Sequence, residues 1–240
     1  MEKYTAIITE PRIHPAWKLV LNNFLTNLDE RWNFIILCGL SNREYLVDLI
    51  DNNFKEHKDR ITIYQLNIEN FKNHEYSHFM LKNQIYDLIP TETFLTFQLD
   101  TLISSKYKDY IYDFIEYDYV GAPWKKNHIP TLNVGNGGLS LRKKTAVLYA
   151  LKNDTYNIKF RENEDVYFSF YIKNKPSTEK AKLFSTETIF SDKSFGTHNS
   201  YTHLSEEELN KISEYIPEIF ELASINKNYD KIQKICNSKN

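Results

Sequence analysis

The residues that could do chemistry begin with one acid at the end of a predicted strand. Asp100 follows the apolar run 94–97, so its carboxylate stands where a buried strand ends. A carboxylate at that edge could hold a divalent cation that bridges to a diphosphate and offsets the charge of the departing group. A helix-capping or turn aspartate is a common alternative for the same residue.

The glycines of the chain concentrate in one loop. Only 6 glycines occur in 240 residues, and Gly135, Gly137 and Gly138 crowd together around Asn136. Glycine permits positive φ and lets the backbone approach a ligand closely. A tight hairpin turn, which an Asn-Gly pair favours, would explain the same cluster. The loop is not a phosphate-binding P-loop, because no Gly-Lys-Ser/Thr sequence follows it.

Four further side chains could take part in chemistry, and each has a structural alternative. Glu164 and Asp165 begin a predicted helix, where one of them could be the general base that deprotonates an acceptor hydroxyl. The helix dipole alone also favours acids at that position. His198 could be a metal ligand, although a lone histidine is more often structural. Trp124 could line a pocket, or it could belong to a strand end followed by a turn.

The elements that must position these residues alternate between strand and helix in the first half of the chain. Apolar runs predict strands at Tyr4–Thr9, Trp32–Cys38, 61–66 and 94–97. Amphipathic spacing predicts helices at 14–28, 41–57, 76–89 and 107–115. This alternation indicates βαβ units and a mainly parallel central sheet flanked by helices. Ligands of such sheets bind in the loops at the carboxyl ends of the strands, where Asp100 and the loop after Thr9 lie.

The second half of the chain is less regular and completes one domain. Its pattern predicts strands at 117–122, 138–142 and 183–189 and helices at 143–151 and 164–172. Ser41 with Glu44, and Ser205 with Glu208, have the spacing of capping boxes at helix starts. We expect a single α/β domain over residues 1–226 and a polar tail at 227–240 that frays.

Composition and charge exclude several classes of protein. The 240 residues are 41% hydrophobic, enough for a substantial core, and the net charge of -2 indicates no attraction to nucleic acid. Cys38 and Cys236 have neither metal-site nor redox spacing, and Cys38 is expected to be buried. The N-terminus lacks a signal-peptide pattern, and no apolar run reaches membrane-spanning length, so a cytoplasmic protein is expected.

Three segments together resemble one protein family. They are 94–101 (FLTFQLDT), 117–124 (YDYVGAPW) and 134–142 (VGNGGLSLR), and the GNGGLSLR string with GAPW before it is the specific part. They resemble the DUF5672 family, whose members look like GT-A-type glycosyltransferases. The resemblance implies a GT-A-like (Rossmann-like) single domain. It also implies transfer of a sugar from a nucleoside diphosphate sugar, such as a UDP-sugar, to a hydroxyl of a carbohydrate or other acceptor.

The resemblance further implies roles for residues at matching positions. Asp100 and His198 would hold a divalent cation, Mn²⁺ or Mg²⁺, and Arg12 could meet a phosphate. Asp165, in preference to Glu164, would be the base on the acceptor side, where Trp124 would line the pocket. The residues implied to bind the donor are Thr9, Glu10, Arg12, Gln98, Asp100, Asn136, Gly137 and Gly138. Among these, Asn136 would hydrogen-bond sugar hydroxyls, and the two glycines would let the backbone approach the sugar.

Two other functions remain open at the level of sequence. GT-A enzymes usually carry Asp-x-Asp where this chain has Gln98-Leu99-Asp100, so a non-catalytic carbohydrate- or nucleotide-binding module on the same scaffold is the main alternative. A nucleotidylyltransferase would need a Gly- and Lys-rich loop after the first strand, and 10–14 contains neither residue. For a transferase, the base candidate favours inversion at the anomeric carbon, with retention left open.

Overall fold

The structure is a computed structural model that describes residues 2–72, 74–125, 132–154 and 163–237, without the side chains of 232–237. Within these ranges the strands are β1 (Tyr4–Thr9), β2 (Trp32–Cys38), β3 (Ile61–Gln65), β4 (Thr93–Phe97), β5 (Thr101–Ile103), β6 (Tyr119–Gly121), β7 (Leu139–Lys143), β8 (Ser185–Thr186) and β9 (Gly196–His198). The helices are α1 (Trp17–Asn27), α2 (Arg43–Asn53), α3 (Glu75–Met80), α4 (Asn83–Asp87), α5 (Lys144–Lys152), α6 (Glu164–Tyr171), α7 (Thr178–Ala181), α8 (Glu206–Ser213) and α9 (Ile219–Asn237).

A six-stranded sheet in the order β3-β2-β1-β4-β7-β6 forms the centre of the domain. The first four strands along the chain in this sheet run parallel, while β7 pairs antiparallel with both β4 and β6. The predicted mainly parallel α/β sheet flanked by helices is therefore confirmed. Both faces of β1 are buried because its side chains alternate between two apolar clusters, Ala6 and Ile8 in one and Ile7 in the other.

Helices cover both of these faces. On one face α1 contributes Phe24, whose ring stacks on Phe97 of β4 with centroids 4.1 Å apart. On the other face Val147 of α5 and Phe168 of α6 pack into the second cluster. The layers leave the carboxyl ends of the parallel strands uncovered at one edge, which is where the ligand loops were predicted.

A second, three-stranded sheet in the order β5-β9-β8 stands next to this edge. The antiparallel pairing of β5 with β9 sets Thr101 opposite His198. The amide of Asn199 also donates to the carbonyl of Asp100 at 2.9 Å. This register brings the end of β4 beside a segment from the far end of the sequence.

Several predicted elements differ in the structure. The predicted helix 76–89 is divided into α3 and α4, and the Tyr86 hydroxyl donates to the Met80 carbonyl, which a continuous helix would use itself. The segment 107–115 forms the 3-10 helix Lys108–Phe114 instead of an α-helix. The predicted strand 183–189 is reduced to β8, because only Ser185 and Thr186 pair with β9.

One of the two predicted capping boxes forms. Ser205 and Glu208 make the complete box at the start of α8. Ser41 and Glu44 do not, because Asn42 is the residue before α2 and its side chain is used elsewhere. Its amide oxygen accepts the Gly39 N–H at 2.8 Å, and its amide nitrogen donates to the Glu10 carbonyl at 2.9 Å, which braces the loop after β1.

The C-terminal segment is helical where a polar tail was expected. Helix α9 continues to Asn237, and Leu222 and Ala223 are buried in the first apolar cluster. One turn later the side chain of Asn226 donates to the Leu99 carbonyl at 3.3 Å. Residues 238–240 of the predicted tail lie outside the described part. None of the helices in the described ranges is long and apolar enough to cross a membrane.

Candidate functional site

Two adjoining cavities open at the carboxyl edge of the parallel strands. The large cavity encloses about 460 Å³ between the loops after β1 and β4 and helix α9. The small cavity encloses about 200 Å³ between the glycine-rich loop, the start of α6 and β9. Tyr76 and Gln98 line both cavities, so the two adjoin at these residues, and together they are called the cleft. Ligand sites in proteins span about 300–1,000 Å³, a range that includes the volume of the large cavity.

Asp100 and His198 meet between the two cavities. Asp100 Oδ1 lies 3.3 Å from His198 Nε2, and both side chains are largely buried. The distance suits an ion pair, yet Asp100 Oδ1 makes no aligned hydrogen bond. Burial alone would lower the pKa of His198, but the charges of Asp100 and Glu187 raise it to about 10. Burial alone would raise the pKa of Asp100, and the charge of His198 lowers it instead.

Glu187 contacts the ring nitrogen of His198 that faces away from Asp100, and it was not among the residues predicted from the sequence. Its Oε1 lies 3.2 Å from His198 Nδ1, and the glutamate side chain is only 8% exposed. The same oxygen accepts a hydrogen bond from Asn136 Nδ2 at 2.9 Å. Asn136 in turn accepts the Gly138 N–H at 2.9 Å. Both ends of the Asn136 amide are thus bound within the protein, although hydrogen bonds to sugar hydroxyls were expected for it.

Gly137 and Gly138 are required because a side chain would overlap neighbouring residues, rather than because the backbone forms a tight turn. A Cβ on Gly138 would overlap the imidazole of His198, and one on Gly137 would overlap the Glu164 carboxylate. Among the described residues, Gly135 is the glycine with a positive φ, at 143°. The loop connects β6 to β7 and does not make the tight hairpin that Asn-Gly alone would favour.

Asp165 and Glu164 at the start of α6 have different surroundings. Glu164 Oε1 lies 3.4 Å from the fully buried guanidinium of Arg142, and its Oε2 accepts from Ser77 at 3.4 Å. Asp165 faces the small cavity and accepts N–H bonds from Val166 at 2.7 Å and Gly137 at 3.3 Å. Burial and then the charge of Glu164 raise the pKa of Asp165 to about 7. A carboxylate with this pKa suits proton transfer near neutral pH.

The predicted residues after β1 line the large cavity, but one of them is already engaged. Thr9, Glu10 and Arg12 all face it. The guanidinium of Arg12 binds both carboxylate oxygens of Glu10, at 2.8 and 2.7 Å. The guanidinium that could meet a phosphate is therefore engaged by Glu10 in this structure.

Helix α9 contributes to the cleft residues on both sides of the predicted start of the tail. Asn226, Lys227 and Asp230 line the large cavity, and the last two were predicted to lie in the tail. The ring of Tyr229 packs against His14 at 4.0 Å between centroids, beside the same cavity. The spacing of Leu222, Asn226 and Asp230 at four-residue intervals could have indicated a helix face directed at the domain.

Trp124 does not line either cavity. It is buried, and its amide donates to the Asn133 carbonyl at 3.1 Å, next to the bridge between Pro123 and Val134. These contacts agree with the alternative of a strand end followed by a turn. The following residues 126–131 lie outside the described part.

The positions of Asp100 and His198 fit the binding of a divalent cation whose other ligands come from a substrate. Two ligands of an octahedral ion, each about 2.1 Å from it, stand about 3 Å apart, close to the separation of Asp100 Oδ1 and His198 Nε2. No three His, Cys, Asp or Glu side chains in the described ranges group into a complete metal site. Ions such as Mg²⁺ are commonly bound by one or two protein ligands together with substrate phosphates.

A family described as "Protein of unknown function (DUF5672)" matches residues 60–198, which is more than half of the chain. The match includes the glycine-rich loop, Asp165, Glu187 and His198. A comparison with curated proteins gave no match.

Solved structures with the same fold include TarS 1-349 of S. aureus in complex with UDP-GlcNAc. Its TM-score is 0.50 at 12% identity, with 93% of this chain and 70% of that chain covered. The glycosyltransferase GlyE of Streptococcus pneumoniae TIGR4 has a TM-score of 0.49 at 8% identity, over 87% of this chain and 56% of GlyE. The likeness to TarS, at 12% identity, shows the fold alone.

Proposed function

The chain belongs to the DUF5672 family and has a GT-A-type fold, and from that premise we propose that it is a nucleotide-sugar-dependent glycosyltransferase. The proposed reaction moves a sugar from a nucleoside diphosphate sugar to a hydroxyl of a carbohydrate or other acceptor, with inversion at the anomeric carbon.

The observation that carries the proposal is the placement of Asp165 in one cavity of the cleft and of Asp100 in the adjoining one, with His198 in contact with Asp100. An inverting transfer needs a base near the acceptor and charge compensation near the departing diphosphate, separated by the width of a sugar. Asp165 faces the small cavity, while Asp100 faces the large one, and His198 stands at their junction. A base with a pKa of about 7 is half ionised at neutral pH, where it can accept a proton efficiently.

We assign the large cavity to the nucleoside diphosphate. Asp100 and His198 would hold a divalent cation, Mn²⁺ or Mg²⁺, whose charge would offset that of the diphosphate. Because the raised pKa keeps His198 protonated without a metal, binding of the cation would release this proton. Lys227 on α9 also lines this cavity and would offer a cation to the diphosphate, a role for which Arg12 is less suited while Glu10 binds it.

We assign the small cavity to the sugar and the attacking hydroxyl. Asp165 would accept the hydroxyl proton as the acceptor oxygen forms its bond to the anomeric carbon and the bond to the diphosphate breaks. The N–H groups of Gly137 and Val166 hold the Asp165 carboxylate in place for this transfer. Glu164 is compensated by Arg142 and is assigned a structural part beside the base.

The proposal is tested with a panel of nucleoside diphosphate sugars in the presence of Mn²⁺. Thermal shift identifies a donor, and slow hydrolysis of that donor reports turnover in the absence of an acceptor. Asp165→Asn is the matched variant, since it keeps the size of the side chain and removes the base. We expect at least one donor to bind wild type and Asp165→Asn alike and to be turned over by wild type only. A panel with no bound donor overturns the proposal.

Gln98 favours one second candidate, a non-catalytic binding module on the same scaffold. It lines both cavities at a position where GT-A enzymes usually carry a carboxylate, and it brings no charge for a metal. This candidate predicts donor binding without turnover and no effect of Asp165→Asn on any rate. The hydrolysis arm of the same experiment separates the two.

A further inference from the structure

We infer that Glu187 is a positioning residue of this site, which orients His198 so that its Nε2 is directed to Asp100 and the diphosphate. The inference rests on the proposed function and names a residue outside the segments that resemble the family's motifs. It also gives the glycine-rich loop a second role, because Asn136 of that loop holds the Glu187 carboxylate in place.

The contacts around the ring support this assignment. Glu187 Oε1 and Asp100 Oδ1 lie 3.2 and 3.3 Å from opposite nitrogens of His198, so the two carboxylates bracket the ring at ion-pair distance. Neither contact is aligned as a hydrogen bond, so charge rather than hydrogen-bond geometry holds the ring between them. Glu187 stands on the Nδ1 side and therefore cannot share a cation with Nε2. In sites where histidine binds a metal, a carboxylate on the other nitrogen fixes the tautomer and the ring orientation.

The carboxylate of Glu187 is itself held in one position. Asn136 donates to its Oε1 at 2.9 Å, and the Gly138 N–H fixes Asn136 at 2.9 Å. The Oε2 of Glu187 is buried without a hydrogen-bond partner among the described residues. A buried carboxylate with one oxygen unsatisfied is costly unless a positive partner compensates it, and His198 is the adjacent group that can do so.

The test compares three full-length variants with wild type. Glu187→Gln keeps the shape and removes the charge, while Asn136→Ala releases the carboxylate from its amide donor. Glu179→Gln is the matched control, because Glu179 is 80% exposed on α7 and pairs only with Lys182 at the surface. The affinity for Mn²⁺ in the presence of UDP, followed by the electron paramagnetic resonance of free Mn²⁺, is the first measurement.

We expect Glu187→Gln to weaken Mn²⁺ binding by about 10–100-fold, as loss of such outer carboxylates does in other metal sites. Asn136→Ala is expected to weaken it in the same direction by a smaller factor, and Glu179→Gln to leave it unchanged. The affinity for uridine, which carries no phosphate, should stay the same in all variants. A purely structural role for Glu187 would lower uridine binding as well.

The second measurement needs neither metal nor activity. In ¹⁵N-histidine-labelled, metal-free protein, the proton on His198 Nδ1 should give a resonance protected from exchange, assigned by its absence in His198→Gln. Wild type should show it, and Glu187→Gln should show it with weaker protection from exchange, because a neutral amide oxygen is a weaker acceptor than a carboxylate. A folded Glu187→Gln with the wild-type protection of this resonance and the wild-type Mn²⁺ affinity overturns the inference. Wild type that binds neither Mn²⁺ nor any nucleoside diphosphate of the donor panel instead overturns the proposed function, and the resonance still decides the role of Glu187.

Discussion

Replacing Gly138 with alanine tests the packing of the glycine-rich loop against the imidazole of His198. The three atoms nearest to an added Cβ all belong to the His198 ring, and Cε1 would lie at 2.5 Å. Ordinary carbon contacts begin near 3.5 Å, so the ring or the loop must move by on the order of 1 Å. Gly138 has no positive φ, so the backbone itself accepts alanine and the expected effect comes from the overlap alone.

The magnitude follows from these distances. Overpacking of a well-packed interior costs about 1–3 kcal/mol. For a chain of this length, a loss of about 2 kcal/mol lowers the melting temperature by about 4–8 °C. A shift of the His198 ring by on the order of 1 Å from Asp100 should also weaken catalysis or Mn²⁺-dependent donor binding by about 100-fold.

The assay is a thermal double-mutant cycle, which needs no substrate. Wild type, Gly138→Ala, His198→Ala and the double variant are melted by differential scanning calorimetry. Removal of the ring opens the space that the new methyl group needs, so Gly138→Ala should cost less than about 0.5 kcal/mol in the His198→Ala background. Equal losses of melting temperature in both backgrounds would refute the packing argument.

Three further predictions concern the cleft. Asp165→Asn should lower the transfer rate by about 10²–10⁴-fold without changing donor affinity. The wild-type rate should rise with pH through about 7, because burial and the charge of Glu164 raise the pKa of Asp165, which acts as a base only when it is ionised. A flat pH–rate profile contradicts this. Lys227→Ala should weaken nucleoside diphosphate binding by about 10–100-fold in calorimetry but leave nucleoside binding unchanged; equal effects on both would assign Lys227 to another role. Gln98→Glu should tighten binding of free Mn²⁺ by about tenfold, or about 1.4 kcal/mol, and an unchanged affinity would mean that residue 98 does not face the cation.

The parallel half of the fold was predictable from sequence because most of its strands are apolar runs between amphipathic helices. That pattern placed Asp100 at the ligand edge, since it lies three residues after the end of β4. The start of α6 at Glu164 was also predicted correctly. These are local features, and local spacing is what a single sequence displays.

The contacts between residues across the cleft depend on the pairing of strands that are distant in sequence. The spacing of residues along the chain does not show this pairing. The contact of His198 with Asp100 requires the short β5–β9 pairing, and Glu187 lies just past a strand of two residues. The full length of helix α9 was not predicted, because its inward face becomes polar after Ala223, where it lines a cavity. A helix whose buried face borders a ligand site shows a weak apolar period.

The environment of Asp165 favours the proposed transferase over the binding module. Its pKa in the folded chain is about 7 against an ordinary value of 3.8, so folding favours the protonated form. The contribution of this group to stability is therefore lost progressively as the pH rises from about 4 to about 7, and the folded protein carries a destabilising charge at and above neutral pH. The Gly137 N–H donates to this carboxylate, and the next residue of the same loop, Gly138, packs against His198. The proposed inverting transfer requires a base beside the proposed diphosphate site, whereas a module that only binds a nucleotide would gain nothing from a destabilised carboxylate there.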